Sequence, residues 1–445
     1  MNAAAGDIGR DDVERAADDE EAALRRLGVG AGDSVGWLAL NGLRGLGLLQ
    51  ACRRLGARFV PLNWRLAAPE LAAIAEHAGL QVLAHDQALA DAADAVRARV
   101  RLPQPRAPGH QAGDLLLVYT SGTTGEPRGA LHTWEGMQAN IAAAIDAQGL
   151  GPHTRTLAVL PMFHVGGLCI QVLPTLAAGG RVRLQARFDA GAWLRDVSAW
   201  RANTSLLVPA VMKALVEHGD WAAADLSPLA FVNSGSQIVP VPLIRAFHAR
   251  GVPVAQVYGS TETGPVSIVL RPEEAMAHEG FAGRPALGVQ LRLGVDGEVL
   301  LKAPNLMRGY HRSADAGFDA DGWFHTGDLA RQHDDGLVEI VGRSKELIIS
   351  GGENIHPAEI ENLLAGHADV AECACVGVPD PRWGEVPVLA LVARPGRRPD
   401  DVAIQALLAA RLASFKRPRR LVWLAALPRT ALGKVRRDRL AAQIG

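Results

Sequence analysis

Cysteine, lysine and long apolar runs are all scarce in this chain of 445 residues, and each scarcity excludes something. Four cysteines (Cys52, Cys169, Cys373, Cys375), none in a C-x-x-C pair, are too few for a disulfide scaffold. The longest uncharged run, Val165 to Gly180, is short for a membrane span and is broken by Pro174 and several glycines. The opening residues are acidic and lack the apolar segment of a secretory signal. A formal net charge of -1 gives no field that would gather nucleic acid or an acidic membrane. These absences point to a reduced, cytoplasmic protein without nucleic-acid or integral-membrane partners. What remains, 48% hydrophobic and 21% charged residues, is a soluble globular composition, and the length exceeds one small domain.

The shortage of lysine is the most informative. Only positions 213, 302, 345, 416 and 434 carry it, against 41 arginines. Where arginine is the default cation, a lysine marks a place where a compact, mobile, titratable ammonium matters. Composition alone allows equally that these five are scattered over the surface.

Short apolar runs ("SVGWLAL", "ARFVPL", "LQVLAHD") alternate with helical patterns from about residue 33 to 86, which predicts an α/β layer with parallel strands. After a Pro- and Gly-rich linker, "DLLLVY" reads as a buried strand, followed by the loop "YTSGTTGEPRG" (119–129). A helix is predicted from near Thr133, with Met137, Ile141 and Ile145 on one face. From about 283 to 343 short β segments surround Asp-Gly turns. A small α+β unit follows Lys345, with Pro357 opening its first helix and Ile404, Leu407, Leu408 and Leu412 along its second.

A strand running into a Gly/Ser/Thr loop offers close backbone approach, a nest of N–H groups and extra hydroxyl donors, all suited to phosphate. The spacing is not that of a Walker loop, because no G-K-[ST] closes it. An isolated loop of this kind is as often an ordinary connection.

The loop does not stand alone. "YGSTET" (258–263), "GWFHTGDLA" (322–330), "VGRSKELIISGGENIHPAEIE" (341–361) and "PRTALGKVRR" (428–437) follow it in order, after "PLNWRLAAPELA" near the start. Together they resemble the adenylate-forming superfamily over almost the whole chain, most nearly its acyl- and aryl-CoA synthetases. The resemblance implies an α/β fold. A large N-terminal domain of layered α/β subdomains and a small β-rich subdomain (1–343) precedes a hinge (344–345) and a small mobile α+β domain (346–445). It implies an AMP-forming ligase: a carboxylic acid and ATP give acyl-AMP and pyrophosphate, then CoA displaces AMP to give acyl-CoA, by domain alternation. ATP, Mg2+ and CoA are the implied cosubstrates and cofactor.

The residues follow from the matched motifs. Thr120, Ser121, Gly122, Thr123, Thr124, Gly125 and Arg128 would cradle the β- and γ-phosphates. The pattern usually has lysine at 128, and arginine keeps the charge with different reach and geometry. Thr261 would face the α-phosphate and Glu262 would bind the metal, a role suited to Mg2+, which takes few protein carboxylates. Gly235, Ser236, Gln237, Tyr258 and Gly259 would wall the adenine, and Asp328 and Arg343 would hold the ribose. Lys434 would neutralise the attacking carboxylate and the α-phosphate together, electrostatic stabilisation of the transition state. Lys345 is the hinge. Gly351, Gly352, Trp383, Phe415, Arg417 and Arg419 would receive CoA, an aromatic and clustered cations suiting a stacked adenine and phosphates.

The acyl pocket is expected at His164, Val165, Gly166, Ser234 and Gly264, with His164 a contact rather than an acid–base group. No arginine lies in these segments to pair with a second carboxylate, so malonate is disfavoured. An aryl or medium-length aliphatic acid fits, and succinylbenzoate is compatible. Two other functions compete: a stand-alone adenylation protein loading a carrier thiol, and a nucleotide-binding homologue impaired in catalysis. The chain starts near a segment that members usually precede with an extra strand and helix. An exposed sheet edge is therefore expected unless the acidic leader or a partner covers it, and the protein is a monomer or a homodimer.

Overall fold

The structure is a computed structural model that describes residues 6–106, 109–120, 128–313, 317–351, 353–397, 400–430 and 434–445. Among these, four sheets organise the chain. An eight-stranded sheet has parallel neighbours at its centre, in the order Arg181–Leu184, Arg155–Ala158, Thr204–Leu207, Phe231–Gly235 and Val254–Tyr258. A six-stranded sheet holds Ser34–Leu38 between Arg58–Pro61 and Leu80–His85, all parallel, as the alternation of apolar runs and helical patterns predicted. A four-stranded antiparallel sheet covers 290–343, and the last sheet, built on the hairpin of Val370–Asp380 and Gly384–Ala393, lies wholly beyond residue 347. No helix among the described residues is long and apolar enough to cross a membrane.

The acidic leader closes the expected edge. Asp7–Ile8 pairs antiparallel with Arg181–Leu184, and Arg181 Nε meets Asp7 Oδ1 at 2.7 Å. The helix Arg10–Arg26 then lies along the helix Leu43–Leu55. The contact is close because Gly47 has no side chain: a Cβ there would sit 2.7 Å from that of Ala16. Around this seam the leader's carboxylates meet arginines, Glu14 with Arg54 at 2.5 Å and Glu20 with Arg44 at 2.6 Å. These pairs are half-open to water and contribute little energy, while the apolar seam of Ala17 and Leu24 carries the packing.

One element was missed in the sequence. Between the Gly/Ser/Thr loop and the predicted helix runs a strand, Arg128–Thr133, paired antiparallel with Asp114–Thr120 in a register that sets Thr120 opposite Arg128. The helix begins at Trp134, with the Thr133 hydroxyl accepting from Gly136 N at 3.1 Å. Its buried face is wider than the apolar one foreseen. Met137 is buried, Ile141 and Ile145 are half-buried, and Asn140 and Gln148 are sealed inside with them.

The hydrophobic clusters of the described residues are separate along the chain. The clusters around Trp193, Phe247 and Met212, and around Trp37 and Phe59, contain nothing beyond residue 340. The clusters around Ile360, Leu389, Ile404 and Leu408 and around Val376 and Leu440 contain nothing before 348. Two units that bury their apolar surface separately can move as bodies.

Candidate active site

The site lies where the ends of three sheets and the last segment of the chain converge. Strands Phe324–Gln332 and Val338–Arg343 pair antiparallel so that Asp328 stands opposite Arg343. Asp328 is 8% exposed. Its Oδ1 accepts from Arg343 Nε at 2.9 Å and its Oδ2 from the Tyr258 hydroxyl at 2.8 Å. Burial raises the Tyr258 phenol well above its ordinary value, and the neighbouring carboxylate adds to that. Burial works against the Arg343 charge, but Asp328 and Glu346 outweigh it and hold the guanidinium firmly protonated. The turn after the strand of Tyr258 is packed against the loop that follows Ala303. Gly264 has φ +72°, and a Cβ on it would lie 2.0 Å from the Asn305 carbonyl, so only glycine closes this contact.

Glu262 sits on the same turn. Its main-chain carbonyl accepts from Met307 N at 2.8 Å, and its carboxylate Oε1 accepts from the Tyr310 hydroxyl at 3.0 Å. Over the Tyr310 ring, 3.9 Å from its centroid, lies the Arg128 guanidinium. Arg128 and Glu262, distant in sequence, are thereby joined through one tyrosine that the sequence reasoning did not single out. Of the predicted phosphate-loop residues, Thr120 and Arg128 are at the strand ends that flank the loop, with Thr120 Oγ1 3.5 Å from the Arg128 carbonyl. Ser121, Gly122, Thr123, Thr124 and Gly125 lie outside the described residues, as does Gly352.

Lys434 belongs to the C-terminal unit, yet its surroundings are those of the N-terminal one. By surface area the residue is exposed. Its ammonium is nevertheless crowded by protein, and desolvation is the largest cause lowering its pKa, followed by repulsion from Arg343. Asp328, Glu262 and Glu346 act in the opposite direction. Its backbone is pinned, with Thr430 N donating to Lys434 O at 2.8 Å. His164 feels the same charge: burial first, then Lys434 and Arg65, push its imidazole down to about 4. A ring neutral at pH 7 suits a positioning contact and not a cationic role.

Beside this charged cleft is a narrow apolar cavity with ≈ 10 Å³ of open space. The helices Trp134–Gln148 and Val165–Cys169 form two of its sides. Of the residues predicted for the acyl pocket, Val165 and Gly264 line it, whereas His164, Gly166 and Ser234 are not on its wall. His132, unnoticed in the sequence, is on the wall and only 3% exposed; burial pushes it down to about 4. Among the described residues, no charged side chain lines the cavity.

The predicted adenine residues occupy the ends of parallel strands. Gly235 lies against the neighbouring strand, where a Cβ would be 2.2 Å from the Val257 carbonyl, and Gly259 likewise crowds Pro265. Ser236 and Gln237 are exposed, Ser236 with a left-handed φ of 71°. Among the residues assigned to CoA, Gly351 N donates to Trp383 O at 2.8 Å, and the Arg419 guanidinium stands 5.9 Å from the Trp383 ring. Trp383 and Phe415 each remain 37% exposed, ready for contact. Arg417 is engaged otherwise: its Nε and Nη2 donate at 3.0 Å to the Leu412 and Ala409 carbonyls at the end of the helix Asp401–Arg411. Lys345 is exposed on a short 3-10 turn between the two units.

Known proteins resemble this chain over most of its length. The family model for AMP-binding enzymes matches residues 10–311, and that for the AMP-binding enzyme C-terminal domain matches 359–434. The indoleacetate–CoA ligase of Aromatoleum aromaticum is 42% identical, over 94% of this chain and 89% of its own. A feruloyl-CoA synthase from Amycolatopsis is 38% identical over 95% and 91%. Among solved structures, an anthranilate CoA ligase in complex with anthranoyl-AMP superposes with a TM-score of 0.88 at 26% identity, covering 97% and 91% of the two chains. The o-succinylbenzoate CoA synthetase of Bacillus subtilis with its acyl-adenylate gives 0.86 at 29% identity, covering 96% and 92%. The chain belongs to the AMP-binding enzyme family of adenylate-forming enzymes, and it is an AMP-forming acyl-CoA ligase that uses ATP, CoA and a small carboxylic acid.

Proposed function

We propose that the acid is an aryl acid with a single carboxylate, and that the residues around Asp328, Glu262 and Lys434 activate it. The observation carrying this reading is the lining that Val165 and Gly264 share with the helix Trp134–Gln148: apolar, and without a charged side chain among the described residues. A second carboxylate buried there unpaired would carry a desolvation cost, which weighs against a short dicarboxylic acid such as malonate. Of the relatives named above, three take their names from indoleacetate, ferulate and anthranilate, aromatic acids with one carboxylate each, whereas the fourth, succinylbenzoate, is aromatic with two.

In this reading the walls of the narrow cavity part to admit the acid's ring, and its carboxylate emerges beside His164 and Lys434. Asp328 receives the ribose hydroxyls while Tyr258 and Arg343 hold the carboxylate in place. Ser236, Gln237 and the edges of Gly235 and Gly259 border the adenine. The terminal phosphates rest on the loop that follows Thr120, with Arg128 at its far end. Glu262 would hold a Mg2+ ion, whose chemistry is to neutralise phosphate charge. The fit is good: Tyr310 occupies one carboxylate oxygen and leaves the other free of protein donors among those seen. One carboxylate plus substrate phosphates is also the donor set Mg2+ favours. No cluster of three ligating side chains exists among the described residues, so a protein-only metal cage is not implied.

As the carboxylate attacks the α-phosphorus, two anions approach, and the Lys434 ammonium stabilises both. Pyrophosphate leaves, and acyl-AMP remains. Rotation about Lys345 then withdraws Lys434 and brings Gly351 and Trp383 to the cleft, where the CoA thiol displaces AMP. The test is pyrophosphate release from Mg·ATP over a panel of carboxylic acids, each with and without CoA. Release that depends on an aryl acid, with AMP and thioester formed when CoA is present, is the expected result. Preference for a dicarboxylic or an unbranched aliphatic acid overturns the substrate assignment.

A further inference from the structure

Within the acyl cavity one polar atom has no role in holding the fold. The wall is made by Leu116, Met137, Ile141, Val165, Cys169 and Leu173, together with three polar side chains. Two of these are committed to the main chain. Asn140 Nδ2 donates to Cys169 O at 2.8 Å while its Oδ1 accepts from Val266 N at 3.1 Å. Asn305 Nδ2 donates to the Thr263 and Val266 carbonyls at 3.0 and 3.1 Å. The third is His132, whose Nε2 is buried without a hydrogen-bond partner.

An orphan nitrogen in such a wall needs a reason. The strand Arg128–Thr133 alternates faces, and Leu131 fills the opposite core with Leu117. A hydrogen bond from the ring to the Thr261 main chain accounts for one nitrogen, and Nε2 is left unsatisfied in an apolar wall. The penalty is removed when a ligand supplies the partner, and a ligand lacking one restores it. A neutral imidazole presents a donor or an acceptor according to tautomer, so it suits a hydroxyl or a ring N–H.

We propose that His132 is a specificity-determining residue, its unpaired ring nitrogen selecting aryl acids that carry one hydrogen-bonding group on the ring over bare hydrocarbon acids of the same shape. This rests on the ligase reading of the cavity and deepens it from an apolar ring to a ring with one polar address.

The test uses the full chain and matched acids that differ by one hydroxyl: 4-hydroxyphenylacetate with phenylacetate, and 3-(4-hydroxyphenyl)propanoate with 3-phenylpropanoate. Acid-dependent pyrophosphate release gives kcat/KM for each. In the unaltered protein the hydroxylated member of at least one pair is favoured about ten- to a hundred-fold. In His132→Phe that ratio falls to about one, and in His132→Gln, which keeps a hydrogen-bonding amide at the position, it stays above the value for phenylalanine. Thermal unfolding shows whether each variant is folded; if His132→Phe is not, His132→Leu takes its place. A ratio near one in the unaltered protein for both pairs overturns the inference, as does a ratio that survives His132→Phe, which would mean that the nitrogen serves only a bound water. Failure of every acid to release pyrophosphate would overturn the ligase reading itself, a different outcome from release without discrimination.

Discussion

Replacing Lys434 by alanine separates the two half-reactions. The ammonium is held where Asp328 and Glu262 draw it in and Arg343 opposes it, so its field acts on a site already short of water. Removing one preorganised charge of this kind lowers a rate by about a hundred- to a thousand-fold, roughly 3–4 kcal/mol of transition-state stabilisation. Lys434→Ala should therefore slow acid-dependent pyrophosphate release by that factor while leaving ATP affinity nearly unchanged. Conversion of supplied acyl-AMP and CoA to thioester should proceed at close to the original rate, because the ammonium has no partner in that step. The pH dependence has a definite sign. Only the protonated amine serves, and its pKa is lowered, so adenylation falls as pH rises through a value below the ordinary lysine range. The thioester step lacks this particular fall. Equal loss in both half-reactions, or an alkaline limb shared by both, would refute the assignment.

Two shorter tests address the nucleotide and the thiol. Asp328→Asn exchanges a carboxylate bonded to Tyr258 and Arg343 for a neutral amide. With the half-exposed arginine discounted, the loss is about 1.5–3 kcal/mol, a ten- to hundred-fold rise in the apparent KM for ATP measured by initial rates. Trp383→Ala removes the exposed ring beside Gly351 and Arg419. It should raise the KM for CoA about ten-fold with acyl-AMP formation unchanged; a defect confined to adenylation contradicts the placement of CoA there.

Much of the site was legible because its chemistry needs particular residue types in a fixed order along the chain. Asp328 and Arg343 are separated by one hairpin, and antiparallel pairing brings them face to face. Other parts depend on contacts between distant segments. Tyr310 touches Glu262 and Arg128 only because the strand Gly309–Tyr310 joins the edge of the sheet next to Arg128–Thr133. A signal did exist: the chain has three tyrosines, and two of them, Tyr258 and Tyr310, bond carboxylates of this site. His132 was hidden for a different reason. A histidine between a leucine and a threonine gives no periodic signature, and only its burial without a partner separates it from a surface residue. Arg417 is the converse case, since a basic cluster reads the same whether its members face a ligand or the end of a helix, and this one donates two bonds to helix carbonyls.

If the two units alternate as proposed, the interface between them has to be breakable, and its polar contacts are weak. Across it, Lys213 Nζ donates to the Ala371 carbonyl at 2.9 Å, and Arg394 Nη1 meets Glu217 Oε1 at 3.2 Å, with the two side chains 33% and 49% exposed. The hydrophobic cores of the two units do not merge here. Contacts of this kind contribute about 0–1 kcal/mol each, so the orientation seen is favoured by a small margin that exchange of substrates can reverse. Deleting both pairs with Lys213→Ala and Glu217→Ala should therefore cost adenylation no more than about ten-fold, since two weak contacts shift a population and remove no chemistry. Thioester formation from supplied acyl-AMP should hold or increase, because that step draws on the other orientation. If instead the double variant slows both half-reactions alike with an unchanged unfolding midpoint, these contacts do not set the balance between orientations, and the seam around Lys345 alone must do so.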